Sequence, residues 1–241
     1  MSHEINKLSI IVPAYNEEKT ILSVIGLLEK INLVGETAKE IIIIDDHSKD
    51  TTSQLVREYI TQNPESPLVF HSQPVNQGKG AAIHKGIELA SGNIIVIQDA
   101  DLELVPEEIN LLLALYLEAP NQIVYGSRFL EDKHSKTNFI WHIMGNGFLT
   151  KLSNLFSGYR LTDMMTCYKM VPANVLKSLN LKEKRFGFEP EVTMKLSKVK
   201  SLRICEVPIT YIARNKDEGK KISWKDGVKV IYCIVRYRIG N

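Results

Sequence analysis

Short runs of almost wholly apolar, largely β-branched residues are the feature that most restricts this chain. They lie at 8–12, 41–44 and 94–97, with a weaker one at 68–70. A strand with no polar alternate face must be covered on both sides. Between these runs, 17–30, 51–61 and 80–90 read as helices, the first with Ile21, Val24, Ile25 and Leu28 at helical spacing. Buried strands alternating with helices predict an α/β fold, a mostly parallel sheet with helices on both faces. A chain of 241 residues suits one such domain. Further on, 123–125 and 202–207 read as strands, and 139–156 and 224–238 as helices, the earlier one containing Gly145 and Gly147. No linker, repeat or low-complexity segment divides the chain.

Composition narrows the partners. Thirty basic and 28 acidic residues leave a net charge of +2, too balanced for nucleic acid as the main partner, although 216–238 is locally basic. Cys167, Cys205 and Cys233 are odd in number, scattered and without C-x-x-C spacing, which argues against a disulfide framework or zinc site and for a reducing, cytoplasmic setting. Residues 1–7 lack the apolar core of a signal peptide, and the longest apolar stretches, 41–44 and 111–117, are too short to cross a bilayer.

Three of the predicted strands end in polar clusters: Pro13, Ala14, Tyr15, Asn16 and Glu17; Asp45, Asp46, His47 and Ser48; Asp99, Ala100 and Asp101. Ligands of open α/β sheets bind outside the carboxyl ends of the strands, so the three clusters are expected to share one crevice. If the third is extended, Asp99, Asp101 and Glu103 face one way. Their mutual repulsion is relieved by a cation, and a hard ion such as Mg²⁺ suits such oxygens and bridges to phosphate. The alternative is a solvated turn with an N-cap before a helix beginning near Pro106. In the first cluster, Asn16 reads as an N-cap, with Glu17 and Glu18 complementing the helix dipole, while Tyr15 offers a face for stacking on a base. Asp46 is either an acceptor for a base or ribose or a turn carboxylate. Asp50 reads as the N-cap of the helix over 51–61. Gln77-Gly78-Lys79-Gly80 lacks P-loop spacing, and no G-x-G-x-x-G follows a strand, so it reads as a structural turn with Lys79 a minor electrostatic contributor.

The motifs I-V-P-A-Y-N-E, I-I-D-D-H-S-K-D-T, N-Q-G-K-G-A-A-I, D-A-D-L-E, Y-G-S-R and R-N-K-D-E-G-K-K-I-S-W-K-D-G, in this order, resemble family 2 glycosyltransferases. Within that family the resemblance is to the dolichol-phosphate mannosyltransferase-like branch of polyprenyl-phosphate glycosyltransferases. It implies a single GT-A domain with a Rossmann-like nucleotide-sugar-binding half over about 1–127 and an acceptor half over about 128–241. It implies that Pro13, Tyr15, Glu17, Ile44 and Asp46 hold the nucleotide. Asp99, Ala100 and Asp101 match the D-x-D that binds metal and diphosphate, and Glu103 stands where the branch often has glutamine. Arg128 matches an arginine near the transferred group, and Arg214 and Lys220 match basic residues of a closing loop. The segment L-T-D-M-M-T-C-Y-K aligns Asp163 but departs from the branch's D-x-x-S-G-F-R.

The implied reaction is inverting and dependent on Mg²⁺ or Mn²⁺. A hexose, glucose or mannose, moves from a UDP- or GDP-sugar to a polyprenyl or dolichyl phosphate. Asp101, Arg128, Arg214 and Lys220 would act on the reacting groups. A hydroxyl acceptor, such as a soluble saccharide, would instead require a base, with Asp163 or Glu189 as candidates. A nucleotidyltransferase would carry a glycine-rich basic loop where Ala14, Tyr15, Asn16 and Glu17 stand, and a non-catalytic nucleotide-binding module would not need the aspartates. The segments 139–156 and 228–238 read either as helices packed on the sheet or as interfacial helices, the latter giving peripheral attachment to the cytoplasmic leaflet.

Overall fold

The apolar runs become strands wherever both faces can be covered. The computed structural model describes residues 7–119, 122–130, 140–212 and 224–240, the side chains of 140–144 and 224–225 excepted. Its strands are β1 (Lys7–Ala14), β2 (Ala38–Asp45), β3 (Leu68–Ser72), β4 (Ile94–Ile97), β5 (Gln122–Ser127), β6 (Lys169–Pro172) and β7 (Arg203–Pro208). Its helices are α1 (Ile21–Lys30), α2 (Thr52–Gln62), α3 (Lys79–Leu89), α4 (Ile109–Glu118), α5 (Ile140–Ser157), α6 (Ala173–Ser178), α7 (Phe188–Leu196) and α8 (Trp224–Ile239). The strands form one seven-stranded sheet in the order β3-β2-β1-β4-β6-β5-β7, parallel except where β6 pairs with β4 and β5.

That order fixes where helices lie. The chain steps outward from β1 to β2 to β3, then returns past β1 to β4. Right-handed crossovers therefore put α1 and α2 on one face and α3 on the other. Ile10, Ile11, Ile41, Ile42, Ile94 and Ile95 are fully buried between these layers. Gly86 lets α3 approach β1 closely, since a Cβ there would lie 2.4 Å from Ile11 Cγ2. The reversal of strand order at β1 leaves a crevice above the carboxyl ends of β1 and β4.

Some local expectations change. Asn16 does not cap α1, which begins at Ile21 with Thr20 in the cap position. Asn16 adopts a left-handed φ of 56°, and its Oδ1 accepts from Lys49 N at 2.8 Å, tying the end of β1 to the loop after β2. Asp50 precedes the cap residue Thr51, yet its carboxylate accepts from the backbone N–H of Thr52 at 3.0 Å. The stretch from Asp99 to Glu103 is a turn, not extended, with Leu102 at φ 59°. The face-sharing argument for its three carboxylates therefore does not apply. β6, α6 and α7 were not foreseen. β6 begins with a lysine, and α7 contains Pro190 and two glutamates, yet Lys169, Glu189 and Glu191 are all buried.

Candidate active site

The ends of β1, β2 and β4 each carry a non-glycine residue in left-handed backbone: Asn16 (φ 56°), His47 (φ 61°) and Leu102 (φ 59°). Such conformations cost energy and collect at functional sites, and a branched apolar residue there is uncommon. Here they turn the chain sharply over the crevice. Tyr15, directly after β1, is exposed. Pro13 and Ile44 are buried neighbours in the β1–β2 ladder, as Ala100 is within the turn after β4, so any role in ligand binding falls to their backbones. The loops after β1 and β2 are knitted together: Glu17 N donates to Thr52 Oγ1, and Glu18 N to Asp50 Oδ2.

Asp46 takes up the turn-carboxylate role, one of its two readings. Its carboxylate is buried and accepts from Gln73 Nε2 at 3.0 Å, Gln77 N at 2.9 Å and Gly78 N at 2.6 Å. It therefore shapes the loop that delivers Lys79. Gly78 sits at φ 101°, and a Cβ on Gly80 would meet the carbonyl of Glu183 at 2.3 Å. Both glycines are demanded by geometry, and the backbone from which Lys79 projects is fixed.

Lys79 is more than a minor contributor. Its Nζ lies 2.6 Å from Asp99 Oδ1, each side chain retaining some exposure, 31% and 25%. The two line a cavity of about 60 Å³ with Glu103, Leu104, Arg128, Met165, Thr166, Cys167 and Tyr211. That volume suits an ion or a phosphoryl group and is well below the several hundred Å³ of a whole ligand pocket. Burial acts against the charge on Lys79, but Asp99 outweighs it and holds the ammonium above its ordinary value. Burial likewise opposes ionisation of Asp99, and Lys79, the Cys167 thiol and Arg128 together keep its pKa low. Both groups are charged at neutral pH.

Beside them, Arg128 at the end of β5 forks onto Asp163, with Nε at 2.6 Å from Oδ2 and Nη2 at 2.9 Å from Oδ1. Arg128 N and Asn146 Nδ2 of α5 also donate to Asp163. Asp163 is fully buried; burial would raise its pKa, but the guanidinium prevails and holds it low. Glu189 is buried against the ammonium of Lys169, and burial leaves its pKa raised. Glu103 accepts from the Tyr211 hydroxyl at 3.0 Å, and Asp101 accepts from Glu103 N at 3.2 Å. Tyr211 is pushed up to about 12 by burial and by Glu103.

Among the described residues, no group of three His, Cys, Asp or Glu side chains is arranged to enclose a metal alone. The donor set nevertheless fits a hard divalent ion, since the carboxylate residues Asp99 and Glu103 line one cavity with Lys79 and Arg128. Such ions commonly take one or two protein carboxylates and complete their shell with phosphate oxygens and water.

The structure thus gathers Asp99, Glu103 and Arg128 at one cavity, with Asp101 in the same turn. Arg214 and Lys220 lie outside the described residues. Sequence reasoning missed Lys79, Thr166, Cys167 and Tyr211 as lining residues. The departure of M-T-C from the branch pattern was a signal at two of them. The Thr166 hydroxyl is buried without a hydrogen-bond partner.

Comparisons with known proteins point the same way. A dolichyl-phosphate beta-glucosyltransferase of Trichomonas vaginalis is 30% identical over 248 residues, covering 96% of this chain and 72% of the relative. The UDP-N-acetylglucosamine–dolichyl-phosphate N-acetylglucosaminyltransferase of Methanococcus voltae is 28% identical over 249 residues, 96% of each chain. Glucosyl-3-phosphoglycerate synthase from Mycobacterium tuberculosis, solved with UDP, superposes with a TM-score of 0.70 at 20% identity, over 98% of this chain and 81% of that one. Its complex with Mn²⁺, UDP and glucosyl-3-phosphoglycerate gives 0.68 at 21% identity, with the same coverage. The shared fold is the GT-A arrangement. The family model described as glycosyl transferase family 2 matches residues 9–179. With its motifs in order and their strand ends converging on one carboxylate-lined crevice, this chain is a glycosyltransferase and belongs to glycosyl transferase family 2.

Proposed function

We propose that this enzyme moves a glucose-type sugar, glucose or N-acetylglucosamine, from a UDP-sugar to a polyprenyl phosphate, with inversion and with Mg²⁺ or Mn²⁺ at Asp99 and Asp101. The observation that carries the reading is the meeting of Asp99, Lys79 and Arg128 at one small cavity over the sheet's reversal point. The relatives named above supply the sugar, the nucleotide and the lipid; neither of their names contains mannose or GDP.

In the transfer, an acceptor oxygen bonds to the anomeric carbon as the bond to the β-phosphate oxygen breaks, and the nucleoside diphosphate leaves with the electron pair. A bound divalent ion supplies Lewis-acid stabilisation of that leaving charge. Lys79 and Arg128 add positive charge where it develops. Tyr15 stacks on the base, Glu17 and the loop held by Asp46 line the ribose side, and Arg214 and Lys220 close over the phosphates.

The state of the two acceptor-side carboxylates favours a phosphate over a hydroxyl acceptor. A hydroxyl needs a general base with a free lone pair. Asp163 is locked into a bidentate pair with Arg128 and held ionised, which makes it a weak base; Glu189, whose pKa burial raises, is the stronger base of the two but is buried in an ion pair with Lys169. A phosphate acceptor is already anionic near neutral pH and needs neither.

The lipid acceptor is reached from a membrane surface. No helix among the described residues is long and apolar enough to cross a membrane. On α8, Val230, Ile234 and Tyr237 are buried, but Val228, Tyr232 and Ile239 are exposed, and on α5 so are Phe148 and Leu155. Lys151, Arg236 and Arg238 accompany them. This apolar and basic mixture suits the interface of an anionic leaflet.

The test is a screen of UDP-glucose, UDP-N-acetylglucosamine and GDP-mannose against polyprenyl phosphate and soluble saccharides, read as nucleotide release and glycolipid mass. Transfer from a UDP-sugar to the lipid alone supports the reading. Transfer only to soluble hydroxyls, or only from GDP-mannose, contradicts it. Flotation with anionic liposomes tests the membrane contact, and failure to float with polyprenyl phosphate present removes it.

A further inference from the structure

We propose that Lys79 is a resident counter-ion at Asp99, occupying the place of the divalent cation until a nucleotide diphosphate draws its ammonium away. The inference rests on the metal–diphosphate reading above and adds an order to it: the cation binds well only when the nucleotide is present.

Three observations on the chain itself lead here. First, Lys79 Nζ sits 2.6 Å from Asp99 Oδ1, on the leading aspartate of the D-x-D turn. An ammonium at that distance and a divalent ion on the same oxygen would repel strongly, so one must leave for the other to bind. Secondly, the anchor of Lys79 is rigid while its side chain retains some exposure. Gly78 N is held by Asp46 Oδ2 at 2.6 Å, Ala81 N by the Lys184 carbonyl at 3.0 Å, and Gly80 has no room for a side chain. The side chain keeps 31% exposure toward the cavity. Its four-carbon stem can pivot about a fixed origin without any loop rearrangement. Thirdly, Arg128 lines the same cavity but is committed to Asp163 by two hydrogen bonds. Arg128 is thus held bidentately, whereas Lys79 meets Asp99 through one oxygen.

A diphosphate in the cavity offers Lys79 several anionic oxygens in exchange for one. The exchange would free Asp99 to hold the cation. By linkage, the nucleotide raises affinity for the cation, and the cation raises affinity for the nucleotide by the same factor. Without nucleotide, Lys79 keeps the carboxylate neutralised and the site closed to stray divalent ions.

The experiment measures Mn²⁺ binding directly, from the paramagnetic resonance signal of the free ion, with and without UDP, subtracting the Mn²⁺ that UDP binds in solution. Wild type is compared with Lys79→Gln, Lys79→Met and the charge-preserving Lys79→Arg, each checked by thermal melting. Wild type is expected to bind Mn²⁺ weakly alone and roughly tenfold or more tightly with UDP. Removing a like charge this close is expected to tighten Mn²⁺ binding without UDP by about tenfold in Lys79→Gln. The gain from UDP shrinks correspondingly, while Lys79→Arg stays near wild type. Lys79→Met serves if the glutamine variant does not fold. If neutral variants bind Mn²⁺ alone no better than wild type, while wild type still shows coupling to UDP, the counter-ion role is wrong and the metal reading stands. If wild type binds no Mn²⁺ even with UDP, the metal reading itself fails.

Discussion

Lys79 Nζ lies 2.6 Å from Asp99 Oδ1, joining the first residue of α3 to the turn after β4 above the reversal point of the sheet. This ion pair brings the amine of a glycine-bracketed turn to the aspartate motif that resembles a metal site. Both groups stay charged because each offsets the desolvation of the other.

Asp101→Ala is expected to fold as wild type and to lose transfer by about a hundredfold or more, the scale for removing one stabilising contact to a developing negative charge. The substitution removes, among other contacts, the acceptor of Glu103 N. Steady-state turnover beside a thermal melt checks this, and full turnover in a well-folded variant contradicts it.

Asp163→Ala is expected to destabilise the fold by about 3 kcal/mol, because it strands the Arg128 guanidinium and the Asn146 amide against a buried site. Urea unfolding reads the change. A loss below about 1 kcal/mol would show that the pair is not integral to the fold.

Glu40, at the opposite end of the sheet, gives a pH dependence of stability. Its buried carboxylate accepts from Ser9 Oγ, Ser91 N, Ser91 Oγ and Gly92 N and pairs with Lys7 at 2.7 Å. Burial works against its ionisation, but Lys7 and the serines prevail and bring its pKa to about 2. A depressed carboxylate stabilises the fold above its unfolded value, and that contribution disappears as pH falls toward the folded one. On the order of 2–3 kcal/mol should be lost between roughly pH 4.5 and 2. Glu40→Gln should flatten that part of a stability–pH curve; an unchanged curve contradicts the assignment.

Thr166→Val is expected to leave stability unchanged or slightly higher, since the hydroxyl it removes is buried and unpartnered. If that hydroxyl serves a ligand in the adjoining cavity, KM for the donor or acceptor rises while the melting temperature holds. A clear loss of stability would show that the hydroxyl has a structural partner.

The legible parts of the molecule were those with local causes. The isoleucine runs could only be strands covered on both faces, and their polar ends had to meet at the reversal point. Asp99, Glu103 and Arg128 were readable because motif order located them. What escaped depends on long-range pairing. Lys169 is buried only because Glu189, twenty positions on, pairs with it, a contact no local pattern shows, and β6 and α7 went unread. Lys79 looked incidental because its partner sits on the next strand's end. The carboxylates of 99–103 were assigned a common face by strand alternation, but Leu102 takes a left-handed turn that alternation does not contain. Asp46 was open between a ligand acceptor and a turn carboxylate, and only the long-range contact with the loop ending at Gly78 shows the second.

The most direct measurement is the anomalous scattering of Mn²⁺ in crystals soaked with UDP. The account predicts one peak about 2.0–2.3 Å from carboxylate oxygens of the Asp99–Asp101 turn and from the UDP diphosphate, with Lys79 Nζ moved off Asp99 onto phosphate. UDP bound in the crevice with Mn²⁺ absent from that turn, or with both aspartates turned away from the diphosphate, would contradict it.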